Sequence, residues 1–483
     1  MGFFAERKIK EGLSNINQSN IFTAEVSSYD RGLFSSQAVF NLTIAVPHSE
    51  AGKAKVKYKD WRIVVPATIY HGPVIFVDSK LKFGLGYANV EFTPNDLVLN
   101  DWFSNTSTMP RIAISLLVNY WGSIVFRFNV PTVKLFTINN GQLDGANIFS
   151  QTKLAANMKT INGELAIKNL QFVHKQISAK ATDLISKYNL HRTGNRFYLG
   201  EGQSRLATFE VKDSDLKVLA ISKFYSFSNA DVKNKLFSAD LNLSIEKIYA
   251  NSNFYGPIEI KMYVRNLDPA SLIKIREQAE RGQASLLDKE QARLAIIAEL
   301  PKLLGKQAEF AIKQMKLVMP EGTIEGDLFI ALPKLENNNF FALLPKVQGN
   351  GKLKVPIILV KKLLSESIKN QLLHPANELI NNKLPPQIAN KQDNKAPPTN
   401  KTTTKGEDTT ITKENITKST QDQVIDEKTA VQQARNLTDQ KLATMLNTGL
   451  IVYQGDSYYI DVNFTQGHLT INGKKFSPEM LKF

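Results

Sequence analysis

Apolar and polar residues alternate along much of the chain, and the alternation is clearest between residues 37 and 46. A period of two residues is typical of a β-strand that buries one of its two faces. The segment before it, Ser28 to Gly32, predicts a turn because it contains Asp and Gly, which tolerate the backbone angles of turns. The apolar side of this strand is a candidate surface for a lipid or a protein partner, and it consists of Phe40, Leu42, Ile44 and Val46.

Strands with one apolar face recur down the chain. Together they present more apolar surface than the predicted helices can cover. We therefore expect an α+β, β-rich fold, in which large curved antiparallel sheets form an elongated body with a few covering helices. A hairpin is predicted at Trp121-Gly122, with residues 112–120 and 123–130 as its strands. Further turns are predicted at asparagine–glycine pairs, which are Asn140-Gly141, Asn162-Gly163, Asn350-Gly351 and Asn472-Gly473.

Apolar residues at helical spacing predict several helices. Asp268 followed by Pro269 is a typical helix start, because Asp caps the first amide groups and Pro fits the first helical position. Pro375 is expected to split the helical region in which it lies. The predicted helices cover residues 4–16, 270–281, 286–304, 355–382 and 438–449.

These elements divide the chain into five parts. Residues 385–434 are rich in Lys, Thr, Asn, Gln and Asp, and they predict a disordered linker because they cannot bury enough apolar surface to offset ordering. The last part, residues 435–483, is predicted as a small unit of one helix and a three-strand meander. The other parts are an N-terminal helix over 1–20, an antiparallel β-rich body over 21–265, and a helical insert with returning strands over 266–384.

Composition narrows the possible functions. The chain has no cysteine, which excludes disulfides, thiolate catalysis and cysteine metal sites. Its net charge is +15, which suits anionic lipid, nucleic acid or an acidic partner. A candidate basic surface alternates along one predicted strand, and it is either a site for lipid headgroups or nucleic acid or a charged strand edge that resists aggregation. It consists of Lys53, Lys55, Lys57, Lys59 and Arg62.

Candidate chemistry is sparse. None of the six histidines pairs with another at metal-ligand spacing or lies in a recognisable catalytic motif. His71, before Gly72-Pro73, is the one to follow, and the simplest interpretation is a turn histidine bonded to nearby backbone. No glycine loop precedes a helix in the way that phosphate binding requires. The sequence therefore predicts no enzyme, with no catalytic residue, cofactor or metal, and no nucleic-acid binding, because the charge is diffuse and no nucleic-acid motif occurs.

No stretch of the sequence has the roughly 18 to 20 continuous apolar residues that span a bilayer. The N-terminus lacks the apolar middle region of a signal peptide. We expect Gly2-Phe3-Phe4 to be the end of a membrane anchor that this sequence does not contain.

Several segments, taken in order, resemble the YdgA family of Gram-negative bacteria, whose function is unassigned. They are Tyr29–Ser36, His71-Gly72-Pro73, Gly256-Pro257, Asn266–Asp268, Leu300–Leu304, Met319–Gly322 and Gly467–Gly473. The resemblance implies a periplasmic protein held at the inner membrane by an N-terminal helix, and it carries over no catalytic residue. We expect a non-enzymatic envelope protein that binds membrane lipid or an acyl chain on a curved apolar sheet face. The alternative is a protein-binding scaffold of an envelope or secretion complex. The sequence is also compatible with a homodimer.

Overall fold

Most of the chain is organised as one large antiparallel sheet. The computed structural model describes residues 22–48, 57–77, 79–93, 110–136, 141–193, 197–214, 216–250, 252–281, 286–334, 346–373 and 426–478, together with positions 6, 7, 10 and 17. A 21-stranded sheet accounts for all the described strands except one separate hairpin. The β-rich fold with a large antiparallel sheet is therefore confirmed.

The strands before residue 215 include the separate hairpin, β4–β5. They are β1 (Phe22–Asp30), β2 (Ser35–His48), β3 (Lys57–His71), β4 (Val74–Val77), β5 (Lys80–Phe83), β6 (Gly86–Phe92), β7 (Ile112–Val118), β8 (Ile124–Phe136), β9 (Gly141–Leu154), β10 (Thr160–His174), β11 (Ile177–Thr193) and β12 (Phe197–Asp213).

The strands after residue 215 complete the sheet. They are β13 (Leu216–Lys233), β14 (Leu236–Ala250), β15 (Asn253–Tyr255), β16 (Ile258–Leu267), β17 (Glu309–Met319), β18 (Gly322–Ala331), β19 (Gln348–Pro356), β20 (Val452–Gln454), β21 (Ser457–Thr465), β22 (His468–Ile471) and β23 (Lys474–Lys475).

The sheet is a meander, in which nearly every strand pairs with the strand before it. Its order is β1-β2-β3-β6-β7 and then each strand in turn to β14, followed by β16-β17-β18-β19-β21-β22-β23. The short strands β15 and β20 lie beside β14 and β21. Antiparallel neighbours need only short connections, so alternate turns fall at the same end of the sheet.

Four α-helices interrupt this meander in the described residues. They are α1 (Pro269–Arg281), α2 (Leu286–Leu304), α3 (Ile357–Leu373) and α4 (Glu427–Thr448). The predicted start of α1 is confirmed, because Asp268 Oδ1 accepts hydrogen bonds of 2.9 Å from the backbone amides of Ala270 and Ser271. Of the predicted N-terminal helix, Glu6, Arg7 and Lys10 are helical, and the remaining positions lie outside the described residues.

Helix α4 begins earlier than predicted, so residues 427–434 of the predicted linker are helical. Asp426 caps it by accepting a 3.0 Å hydrogen bond from the amide of Thr429. Ala430, Ala434 and Thr438 are buried at a spacing of one helical turn. These side chains are small or polar. The sequence of the buried face of α4 therefore cannot be distinguished from that of the polar linker before it.

The chain separates into two compact units. Residues 1–356 and 452–476 form the first, and residues 357–451 and 477–483 form the second. In the first unit β21 pairs with β19, with Gly351 opposite Val462, so the C-terminal strands extend the large sheet. In the second unit Lys361 Nζ bonds to Asp439 at 2.8 Å between α3 and α4. Of residues 435–483, which the sequence predicts as one unit, the helical part lies in the second unit and β20–β23 lie in the first, where they extend the sheet.

The asparagine–glycine pairs occur both in turns and inside strands. Asn472-Gly473 is a tight turn, with φ of 51° and 78°, and the hairpin at Trp121-Gly122 is also confirmed. The predictions at Asn162-Gly163 and Asn350-Gly351 are wrong, because these pairs lie inside β10 and β19. Asn140 lies outside the described residues, and Gly141 begins β9.

Gly163 is needed for close approach rather than for a turn. The aromatic ring of Tyr188, on the neighbouring strand, crosses over Gly163 and reaches Thr152 on β9, with 2.6 Å between the two hydroxyl oxygens. A Cβ at position 163 would lie 2.5 Å from the Gln151 carbonyl oxygen and 2.6 Å from the Tyr188 hydroxyl. A side chain cannot be accommodated here without moving the backbone.

We expect Gly163→Ala to lower the free energy of unfolding by about 1 to 3 kcal/mol through this overpacking. The measurement is the urea midpoint. Gly145→Ala on β9 is the matched control, because its Cβ would meet Leu170 Cδ1 at an ordinary 3.4 Å. Its effect should stay within about 0.5 kcal/mol, and equal losses in the two variants would contradict the assigned role of Gly163.

Candidate functional site

The predicted apolar side of β2 forms part of a packed cluster. Phe40 and Leu42 are half-buried and pack against the buried residues Val65, Ala67 and Val90 of β3 and β6. Ile44 and Val46 lie on the same strand, opposite Trp61 and Lys59, and their side chains fall outside the described part of the structure.

The same face continues across the sheet beyond β2. Val90 pairs with Ile114, and Ile114 pairs with Phe128, which brings the face to β8. Paired residues share one side of a sheet, and from β8 onwards the ladder aligns an apolar residue on each strand up to β16. Those residues are Val130, Ile148, Ile167, Leu184, Leu206, Phe224, Ile245 and Ile258. We call them, together with Leu241, Leu243, Ile260 and Met262, the apolar face.

A line of residues outside the pairing register runs across the strands next to this row. On every second strand the residue has a left-handed backbone: Asn147 with φ of 52°, Asp183 with 49° and Lys223 with 52°. We call this line of residues the slip line. Its other members are Pro131, Lys168, Ala207 and Glu246.

The slip line shifts the alternation of side chains by one residue. A Cβ on Gly145 would touch Ile148 Cδ1 at 3.6 Å, so positions three apart, on either side of Asn147, share a face. Through paired neighbours, the same shift places Leu170 with Ile167 and Ile221 with Phe224. Strands of up to 18 residues thereby keep their apolar residues on one side.

The opposite side of these strands is mostly polar, although Phe149, Ile185 and Phe227 also lie on it. Thr182 Oγ1 lies 2.6 Å from Thr208 Oγ1. Arg265 forms an ion pair with Asp240 at 2.6 Å. Further pairs are Lys187 with Glu164 and Gln314 with Glu259. The sheet therefore has one face whose polar side chains can form hydrogen bonds with water and one apolar face that cannot.

Most of the apolar face is only half-buried. Val130 is buried, whereas the other members, such as Phe224 and Leu243, keep part of their surface exposed. Their flanks are covered by neighbours in the same sheet, and a second layer would be needed to bury the rest. The described residues leave this broad apolar surface incompletely covered, and such surfaces on a folded protein mark binding sites.

Residues with small side chains form the floor of the middle of this side of the sheet. Ser186 Oγ and Ser204 Oγ are 3.0 Å apart, which satisfies both hydroxyls. The small residues on this side are Ser186, Gly200, Gly202, Ser204, Ser226, Ser228 and Ala230, whereas Gly163 is covered by the ring of Tyr188. Larger apolar residues flank this floor on β7–β8 and on β14–β16, so an apolar guest can approach the backbone most closely in the centre.

Most of the predicted basic surface lies outside the described part of the structure. Lys53 and Lys55 lie outside the described residues, and Lys57 and Lys59 belong to β3 but their side chains are not described. Arg62 is exposed on β3, opposite Thr43.

His71 lies in a buried pair. Its backbone amide donates to the Phe34 carbonyl at 2.7 Å, as expected of a turn histidine, and its Nε2 lies 2.7 Å from the buried Ser36 Oγ. Nδ1 has no hydrogen-bond partner within the described ranges. Because Ser36 is almost fully enclosed, this Ser–His pair has no open face for a substrate, and it serves to join β2 to the end of β3.

Burial of the imidazole lowers the pKa of His71 below its ordinary value of 6.5. A folded pKa below the unfolded one means that unfolding takes up a proton, so stability is complete above about pH 6.5 and declines as the pH falls. We expect His71→Gln to make the melting temperature less dependent on pH between neutral and mildly acidic conditions. His468→Gln, at an exposed position, is the control, and an unchanged pH dependence in His71→Gln would contradict the assignment.

Other chemistry is limited in the part of the chain that the structure describes. No group of three or more His, Asp or Glu side chains there is placed to hold a metal ion. None of its helices combines the length and apolar character needed to cross a bilayer.

Comparison with known proteins identifies a family but no function. The sequence model of a family described as bacterial proteins of unknown function, DUF945, matches residues 1–479. No curated protein and no solved structure matches the chain. Because the match extends over nearly all of the sequence, the chain belongs to the bacterial DUF945 family.

Proposed function

We propose that this protein is a non-enzymatic, YdgA-like protein of the bacterial cell envelope that binds acyl chains of membrane lipid on its apolar face. The observation that carries the proposal is the half-buried apolar side of β8–β16, backed by a polar side. In this proposal the protein is periplasmic and tethered to the inner membrane. The right-handed twist of adjacent strands would curve so long a sheet into an elongated trough.

Acyl chains suit this face for two reasons. Each methylene removed from water contributes about 0.8 kcal/mol without needing a directional partner. The floor of Gly, Ser and Ala on β11–β13 leaves room for a flexible chain close to the backbone, and Ser186 and Ser204 already bond to each other through their hydroxyls. A protein partner would instead be expected to find protruding aromatic anchors and a polar rim.

The test is native mass spectrometry of detergent-free protein, followed by organic extraction of what remains bound. We expect a stoichiometric phospholipid or fatty acid, and uptake of a fluorescent fatty acid by protein from which lipid has been removed. A clean unliganded mass with no uptake would contradict lipid binding. Co-purification of a defined envelope protein under the same conditions would instead favour the scaffold function.

A further inference from the structure

Three turns meet at one end of the sheet, and they form a second apolar surface that is separate from the apolar face. The amide of His71 bonds to the Phe34 carbonyl, which joins the β3–β4 turn to the β1–β2 turn. The amide of Leu85 bonds to the Val118 carbonyl at 2.8 Å, which joins the β4–β5 hairpin to the start of the β7–β8 turn. These contacts are backbone hydrogen bonds, so the three turns keep a fixed arrangement.

The β4–β5 hairpin is apolar on both of its faces. Ile75 and Val77 point inward and are buried against Tyr87. Phe76 and Leu81 are paired with each other on the outward face and are 68% and 59% exposed. The inward face alone explains how the hairpin is attached to the sheet, and no described residue buries its outward apolar side chains.

The neighbouring turns add further exposed aromatic and aliphatic side chains. Phe34 is 82% and Trp121 80% exposed, and both stand on turns between paired strands. We call this surface the apolar tip, and its members are Leu33, Phe34, Phe76, Leu81, Phe83 and Trp121.

Basic residues accompany the tip. Lys80 and Lys82 pair with Val77 and Ile75 and so lie on the inward side of the hairpin, where Lys80 is exposed at its end and Lys82 places its Nζ 4.0 Å from the centre of the Tyr87 ring. Further along the same end of the sheet, exposed basic side chains occupy successive turns or strand ends at Lys159, Arg192 and Lys235. A row of cations beside an apolar surface complements anionic phospholipid headgroups.

We propose that the apolar tip docks on the surface of a bilayer that contains anionic phospholipid. Trp and Phe insert at the boundary between headgroups and acyl chains, and Lys and Arg reach the phosphates from the same side. Arg31 lies 2.6 Å from Glu6, which places Glu6 at this end as well. The inference goes beyond lipid binding by the apolar face, because a surface that docks on a membrane need not hold a lipid.

Flotation of the full chain with vesicles tests this inference. We expect it to float with vesicles of phosphatidylglycerol and phosphatidylcholine in equal amounts, and several-fold less with phosphatidylcholine alone. Phe76→Ser with Leu81→Ser should weaken binding to the mixed vesicles at least tenfold, because two outward apolar side chains are lost. The matched control, Phe254→Ser with Leu216→Ser, removes a phenylalanine that is 56% exposed and a leucine that is 74% exposed at the opposite end of the sheet, and it should change binding less than twofold.

Three outcomes would overturn the inference. They are absence of flotation, an equal loss in the tip and control variants, and a self-association that the tip variant abolishes, which would mean that a second copy covers the tip. Organic extraction of the Phe76→Ser, Leu81→Ser variant should still yield the lipid of the apolar face. Unaltered protein that carries lipid but does not float would contradict this inference alone, and unaltered protein that floats but carries no lipid would contradict the proposed function alone.

Discussion

Replacing Leu241 and Leu243 by asparagine should reduce the lipid that co-purifies with the protein at least tenfold. Both side chains lie on the apolar face of β14, where they pair with Met262 and Ile260. Each leucine contributes about 1 to 2 kcal/mol to an apolar contact, and about 1.4 kcal/mol corresponds to a tenfold change in affinity. The measurement is the molar ratio of extracted lipid to protein.

The control for this experiment lies on the same strand. Asn242 and Ser244 alternate with the two leucines and belong to the polar side. Asn242→Ala with Ser244→Ala should leave the lipid ratio within twofold, because these side chains do not reach the apolar face. Melting temperatures of both variants separate loss of binding from loss of folding. A folded leucine variant that retains its lipid would show that this part of the face is not the binding surface.

Local sequence patterns predicted the elements whose geometry depends on local residues. The cap at Asp268 and the turn at Asn472-Gly473 were predicted because neighbouring backbone groups determine them. Asn162-Gly163 has the same dipeptide but lies inside β10, where its glycine makes room for Tyr188 from another strand. A contact between residues 25 positions apart leaves no local signal, so this error could not be avoided from the dipeptide alone.

The extent of the apolar face was underestimated for a related reason. A search for strict alternation finds Phe40 and Leu42, but it loses the pattern wherever the slip line shifts the phase. The missing signal is present in the sequence as apolar residues three apart within a strand, such as Val130 with Val133 and Ile245 with Ile248. Recognising it requires a left-handed residue between the two halves, and Asn147 and Asp183 are types that accept this conformation.

The slip line is expected to contribute strongly to stability, and valine substitutions test this. Asp183→Val combined with Lys223→Val should lower the free energy of unfolding by about 1 to 3 kcal/mol, because a β-branched residue in the left-handed region is more strained than the aspartate or lysine that it replaces. Both side chains are exposed, so burial does not enter the comparison. The measurement is chemical denaturation.

Valine itself favours strands. A loss of stability in the variant must therefore come from the left-handed backbone at the substituted positions and not from valine as a residue type. Lys180→Val with Asn189→Val places the same residues at exposed sites on β11 that lie within the pairing register, and its effect should stay within about 0.5 kcal/mol of wild type per site. Asp183→Gly should be tolerated, since glycine adopts positive φ without steric cost. If the Asp183→Val, Lys223→Val variant were as stable as this control, the left-handed residues would not be what holds the two halves of each strand in phase, and the continuity of the apolar face would need another explanation.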